Sequence, residues 1–277
     1  MSTNENKGKK AEVTALQAIS AEDRKDWISL AFVQAGICVC VPAFLLGALL
    51  AEAMPIWPAI ISGSLGYLIV VVGMVATGMI GCDLGLASCT CCQAGFGKSG
   101  ARFIVSTIFA VNMIGWFGIQ NGVCGEAFSN AMLAMTGWDI PVVVSNTIWG
   151  IIMLLTAVYG VHALEKLDKI SIPLLMIIMC YGTFLAFKVY GTGNLNDEGT
   201  VQSMSFMSGV ALSFNFTAVG TITGPDYTRF QKSRKDTVKS VFYGVFPMGV
   251  ITLIMGIVLT KLSGCLLYTS DAADDGE

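Results

Sequence analysis

The sequence predicts an all-α integral membrane protein, and three observations carry that prediction. The 277 residues are 54% hydrophobic and only 13% charged, with a mean hydropathy of +0.70; a soluble domain carries about 25% charged residues. Seven apolar runs follow a polar N-terminal stretch. Each is long enough to cross a hydrocarbon layer of ~30 Å, which takes about 20 helical residues. The basic residues alternate with these runs as a membrane topology requires. Because the runs are continuous rather than alternating, helices are the spanning form.

In chain order, residues 1–27 form a polar tail bearing Lys7, Lys9, Lys10, Arg24 and Lys25. It has no short apolar core followed by a cleavage site, so it is read as a cytoplasmic tail and not as a signal peptide. The transmembrane domain, 28–262, divides into spans at 28–51, 56–80, 103–133, 141–163, 170–190, 204–223 and 240–262. With a cytoplasmic N-terminus, the inner segments are 1–27, 81–102, 164–169 and 224–239, and they hold 14 of the 16 Lys and Arg residues. Only Lys188 and Lys261 fall outside, where Glu52, Asp139, Asp197 and Glu198 also lie. The positive-inside rule then supports this span map with a cytoplasmic N-terminus, and the expected location is the cell inner (plasma) membrane, as a multi-pass protein.

The first span contains Gly36 and Pro42. A proline removes one helical hydrogen bond and a nearby glycine loosens the turn. The sixth span has a related polar, glycine-bearing interruption from Ser213 to Thr221, with Gly224-Pro225 beyond it. Interrupted helices at corresponding places in two halves point to a secondary transporter built from inverted repeats, and spans one and six imply a five-helix repeat. An ordinary kink in a packed bundle would read the same way.

The inner stretch 81–102 is read as an amphipathic connector or gate. Cys89-Thr90-Cys91-Cys92 has no second Cys or His group at metal-ligand spacing, since the one histidine is His162. Gly97-Lys98-Ser99 resembles the end of a phosphate loop, but its first glycine would fall at Cys92 and no strand precedes it. The nine cysteines are scattered through apolar segments and read as buried thiols, not as a disulfide framework.

Ionisable residues inside a span are functional by default, and here they are scarce. Asp83, Asp226 and Glu52 sit at span ends; Glu126 lies toward the outer mouth as a vestibule, packing or proton site. The polar groups near mid-membrane are Gln34, Asn112, Gln120, Asn121, Asn215 and Thr217, beside Trp116, Phe214 and Phe216. In Asn112-Met113-Ile114-Gly115-Trp116-Phe117-Gly118-Ile119-Gln120-Asn121, Trp116 and Gln120 are four residues apart and share a helical face. Aromatic rings stack on a heterocycle and amides read its edge. An anionic substrate would favour a visible cation, and a cationic one a carboxylate. The set therefore suits a flat, neutral, hydrogen-bonding ligand.

The chain resembles the nucleobase:cation symporter-1 family, cytosine permease branch. Four stretches carry the resemblance: the first span around Gly36, Phe96-Gly97-Lys98-Ser99-Gly100, Gly115-Trp116-Phe117-Gly118, and Asp226-Tyr227-Thr228-Arg229-Phe230. The resemblance implies a leucine-transporter-type five-plus-five inverted-repeat fold of twelve helices, of which about seven are present. It also implies Trp116 as the stacking platform, Gln120 as a substrate ligand, and Asn215 and Phe216 as the substrate-facing pair of span six. Gly36 and Val39 would lend carbonyls to a sodium ion at the break of span one, and Asp226 and Arg229 would anchor the inner end of span six. The family's eighth span, which completes its sodium site, is not among these seven. The polar residues 266–277 read as a spurious, non-native tail on a C-terminally truncated and inactive chain.

The function expected is secondary active import of a neutral nucleobase such as cytosine, by cation symport with alternating access. No cofactor is expected; the co-transported ion is sodium, with a proton as the alternative. The partners are a nucleobase or related heterocycle, the cation and the lipid bilayer, with no nucleic acid, and the protein is expected to be monomeric. The residues fit cytosine, uracil, a purine, allantoin or hydantoin alike. An amino-acid or osmolyte transporter of the same fold is the alternative, because exposed helix ends can bind a carboxylate. A seven-helix receptor or retinal protein fits less well: Lys261 lies at the end of its span, and the charge map puts the N-terminus inside. No nucleophile–base pair or metal set supports an enzyme.

Overall fold

The computed structural model describes residues 16–158, 161–192, 195 and 204–263; of residues 158 and 161–165 it describes only the backbone. Its helices are α1 (Trp27–Cys38), α2 (Val41–Ala53), α3 (Ile56–Leu84), α4 (Ser88–Cys91), α5 (Gln93–Gly100), α6 (Ser106–Thr136), α7 (Val142–Val158), α8 (Val161–Tyr190), α9 (Phe206–Thr217), α10 (Val219–Thr228) and α11 (Arg234–Ser263). Among the described residues, five helices are long and apolar enough to cross a membrane, and α1 with α2 makes a sixth span bent by 52°. The 17-residue α7 is a seventh apolar helix. The tail called for at 266–277 lies outside the described residues.

Helices run past the apolar limits drawn from composition. The helical run Gln93–Thr136 is 44 residues long and takes in half of the stretch expected as an inner connector. Gly97 interrupts it with φ 67° and ψ 172°, a backbone region open to glycine. A π-turn at Ala101–Val105 follows. Residues 164–169, expected as a loop, lie inside α8. Polar residues ended those apolar stretches, but Glu, Lys and His are compatible with a continuing helix.

The chain divides into two compact units. The first gathers the described residues among 16–26, 77–164 and 223–237. In it, α6 packs on α7 through a ladder of small and polar groups. Asn121 Nδ2 donates to the Asn146 carbonyl at 3.0 Å, Ser145 Oγ to the Gly125 carbonyl at 2.8 Å, and Ser129 Oγ to the Ile140 carbonyl at 2.5 Å. Phe128 and Trp149 meet edge to face at 5.4 Å. Small residues let transmembrane helices approach, and the hydroxyls and amides join them where no hydrophobic force does.

The second unit gathers the described residues among 27–76, 165–222 and 238–263. Here α2 and α11 cross at reciprocal glycines. A side chain on Gly47 would overlap the Leu253 carbonyl, and one on Gly256 would overlap the Phe44 carbonyl. On α3, Gly66 admits Ser213 of α9: a methyl group there would lie 2.7 Å from the hydroxyl oxygen. That hydroxyl donates to the Gly63 carbonyl at 2.7 Å. The inward faces are thus small and partly polar. Outward faces such as Ile69 and Val72 on α3, or Ile177 and Ile178 on α8, are apolar and exposed, as lipid contact requires.

This packing makes a stability prediction. Gly47→Leu forces α2 off α11 and is expected to cost about 1–3 kcal/mol or more. It should therefore melt well below the parent protein in detergent. Gly182→Ala, where nothing lies within 4 Å, should melt within a degree or two of it. Equal melting of Gly47→Leu and the parent would refute the crossing.

Candidate functional site

The break of the first span follows from two residues. Pro42 has no N–H to donate into a continuing helix. Cys40 leaves the helix with φ −147° and ψ 158°, and its carbonyl then starts α2 by accepting from Ala43 N at 3.1 Å. Val39 N still bonds the Ala35 carbonyl at 2.9 Å, so α1 stays helical almost to the break. The last carbonyls of a helix lack helical partners and carry the negative end of its dipole. Gly36 and Val39 lie at this end. The Val39 side chain is buried in an apolar cluster with Ala35 and Ile172, packed by Phe32, Met176, Met179 and Met248. Any cation role for Val39 therefore belongs to its main chain.

Trp116 and Gln120 lie in the uninterrupted part of α6, both partly buried. Gly125, at the centre of the α7 ladder, is nine residues past Trp116. Nine residues are about two and a half helical turns, so Trp116 is on the face opposite the ladder. One side of α6 is committed to α7; the other presents an aromatic ring with an amide one turn further on. Asn112, one turn earlier, is exposed. Asn121 is committed to the ladder.

In the sixth span the interruption is slight. Ala218, between α9 and α10, keeps helical dihedrals (φ −55°, ψ −31°), and Phe206–Thr228 counts as one span of 23 residues. The polar stretch that predicted a break instead turns inward on itself. Thr217 Oγ1 donates to the Ser213 carbonyl at 3.0 Å, and Thr221 N bonds the Ala218 carbonyl at 3.0 Å. Ser213 faces α3. Asn215, two residues on, points away from that contact and is exposed, while Phe216 is partly buried. Trp116 and Gln120 belong to the first unit; Gly36, Val39, Asn215 and Phe216 belong to the second.

The C-terminal end of the sixth span is tied down within the first unit. Asp226 Oδ1 accepts from Ser88 N at 3.0 Å, at the start of α4. Thr228 Oγ1 donates to the Gly78 carbonyl at 2.7 Å. Arg229 lies over the Phe230 ring at 4.7 Å. Sequence reading missed the strap that joins them. Arg24 Nη1 donates to the carbonyls of Cys82 at 3.0 Å and Gln231 at 2.7 Å, and Lys25 N donates to the Phe230 carbonyl at 2.6 Å. Residues 19–26, expected as part of a polar tail, are therefore bound in place. Arg234 holds Asp83 through three hydrogen bonds, Nε to Oδ1 at 2.9 Å and to Oδ2 at 3.1 Å, and Nη2 to Oδ2 at 2.5 Å.

The connector cysteines pack beside this clamp. Burial raises the thiol of Cys91 first, with Cys92 and then Asp226 adding to it. Burial likewise raises Cys92, with Cys89 and Asp226 contributing. Among the described residues, no group of three or more His, Cys, Asp or Glu side chains could hold a metal ion.

The comparisons with known proteins agree over most of the chain. Residues 19–275 match the family described as permease for cytosine/purines, uracil, thiamine, allantoin; the match runs on into the stretch 266–277. A cytosine permease of Escherichia coli (strain K12) is 27% identical over 237 residues, covering 84% of this chain and 54% of the relative. A purine-uracil permease NCS1 of Arabidopsis thaliana is 25% identical over 258 residues, covering 85% of this chain and 42% of the relative. The chain thus spans about half the length of the curated relatives it matches. Among solved structures it is similar to Mhp1, a nucleobase-cation-symport-1 family transporter in a closed conformation with bromovinylhydantoin bound. That likeness has a TM-score of 0.80 at 18% identity, over 90% of this chain and 61% of that one. It shows a shared leucine-transporter-type fold.

A raised thiol pKa means less thiolate at a given pH, and thiolate is the reactive form. Alkylation of Cys91 and Cys92 by iodoacetamide should therefore be slow at pH 8 and still accelerate through pH 9, the ordinary thiol value. Rates that level off below pH 9 would contradict the placement of these thiols.

Proposed function

This chain belongs to the family of permeases for cytosine/purines, uracil, thiamine and allantoin, and on that premise we propose that it is a secondary transporter importing a neutral nucleobase together with sodium. The observation that carries the reading is the broken first span, with 52° between α1 and α2. A helix interrupted at membrane depth is tolerated where it lines a cavity, and its free carbonyls suit a small cation. The absence of a full charge beside Trp116 and Gln120 in the sequence favours a neutral cargo.

In this reading the Trp116 ring stacks on the base and the Gln120 amide reads its hydrogen-bonding edge. Asn215 and Phe216 also contact the base, the first as an amide partner and the second as an apolar one. The carbonyls of Gly36 and Val39 hold the sodium ion. The ion stabilises the conformation that accepts the base, and the base in turn raises affinity for the ion, because coupling between two sites is reciprocal. Access then alternates between the two sides of the membrane. The protein is a carrier and not an enzyme, it sits in the inner membrane as a monomer, and its N-terminus is cytoplasmic. The 14 basic residues on the inner segments support that orientation.

Uptake of radiolabelled cytosine, with sodium and with choline in its place, tests this reading. Sodium-dependent uptake is expected; no uptake of any nucleobase defeats it. A stacked ring contributes about 1–3 kcal/mol, so Trp116→Ala should weaken cytosine binding by about fivefold or more while melting normally. Unchanged affinity would remove Trp116 from the site.

A further inference from the structure

One carboxylate in the second unit lies where electrostatics disfavours it. Asp168 is in α8, half-buried, and its carboxylate rests on the α-carbon of Gly36. A methyl group on Gly36 would lie 3.1 Å from Oδ1 and 3.3 Å from Oδ2. Two residues further on, α1 ends at Cys38. A helix C-terminus carries about half a negative charge, and cations, not anions, are stabilised there. The carboxylate thus faces the wrong pole of the helix. Nothing on α1 compensates, since its twelve residues, Trp27–Cys38, include no basic side chain. Lys166 and Lys169 flank Asp168 on its own helix but are turned about 160° and 100° around the axis.

The position is not a solvated helix end either. Asp168 begins the stripe of α8 that packs on α1, followed one turn on by Ile172 and two turns on by Met176, both in the apolar cluster with Ala35 and Val39. The spacing 168, 172, 176, 179 is that of a single helical face. An ionised group on such a face is costly unless a compensating charge is present. Glycine at position 36 is what lets the carboxylate come this close to the break.

We propose that Asp168 supplies the anionic side chain of the cation site, its carboxylate and the carbonyls at the end of α1 together drawing one monovalent cation to the break. This rests on the reading of the protein as a cation symporter and adds to it a side-chain ligand from the fifth span. One carboxylate with neutral carbonyl oxygens carries a single formal negative charge, which matches sodium; calcium takes 6–8 oxygen ligands and is held in protein sites by more than one carboxylate. The bound ion also fastens α8 to the broken span, so sodium stabilises the fold as well as the transport-ready state.

The test is the melting temperature of the purified protein across a sodium titration, with choline holding ionic strength constant. The parent should stabilise with sodium. Asp168→Asn should need at least about tenfold more sodium for the same effect, yet melt in choline at or above the parent, because its repulsion with the helix end is gone. Asp168→Glu should keep most of the sodium response. Gly36→Ala, which pushes the carboxylate aside without losing it, should also weaken the response and serves if Asp168→Asn does not fold. An unchanged sodium midpoint in Asp168→Asn or in Gly36→Ala overturns the proposal, while sodium-dependent uptake by those variants would leave the transporter reading standing. A parent with no sodium response overturns the proposal too; cytosine-induced stabilisation of that parent would show that nucleobase binding survives without it.

Discussion

Inside a hydrocarbon layer a backbone N–H or C=O without a partner costs several kcal/mol, and the packing of the second unit is arranged around a place where that rule is strained. The first span breaks between Cys38 and Val41. The damage is confined because Cys40 is extended and its carbonyl restarts the helix at once through Ala43 N. What remains is a short set of carbonyls at the negative end of α1. A pair of half-helices has less internal stiffness than a straight helix, so neighbours must hold each half. The α2 half is gripped by α11 at Gly47 and Gly256, and the α1 half by α11 at Gly244, which lies against the Ala31 backbone. Gln34, fully buried on α1, reaches Ser240 of α11 at 3.4 Å. The nitrogen of this amide helps to hold the half-helix, while its oxygen is buried without a hydrogen-bond partner among the described residues.

Elsewhere polarity in the spans is absorbed locally. Thr147, Thr156, Thr183 and Thr252 each return the hydroxyl to a carbonyl four residues back, a common device where water is absent. Ser213, Ser145 and Ser129 use theirs to join helices instead. Against that background Trp116 and Gln120 stand out by position: they occupy the face of α6 opposite the α7 ladder.

The helical form of the apolar runs and the place of the first break were legible in the sequence, because apolar length and proline chemistry act locally. So was the shared face of Trp116 and Gln120, which needs only helical periodicity. The sixth-span break was over-read: Ser213, Thr217 and Gly220 look like helix breakers in sequence, but Ala218 keeps helical dihedrals and Phe206–Thr228 runs as one span of 23 residues. Asp168 was missed for the opposite reason. Charge next to an apolar run reads as a loop, and only the extension of α8 shows that the carboxylate shares a face with Ile172 and Met176. The strap at Arg24 was invisible too, because its partners at Cys82 and Gln231 are main-chain carbonyls far along the chain, and main-chain acceptors leave no mark in a sequence.

The central claim is that base and cation bind one conformation and reinforce each other. Isothermal titration of the purified protein measures this directly, with cytosine titrated at several sodium concentrations and sodium titrated with and without cytosine. The account predicts that sodium tightens cytosine binding and that cytosine tightens sodium binding by the same factor. Cytosine affinity that is independent of sodium would contradict it.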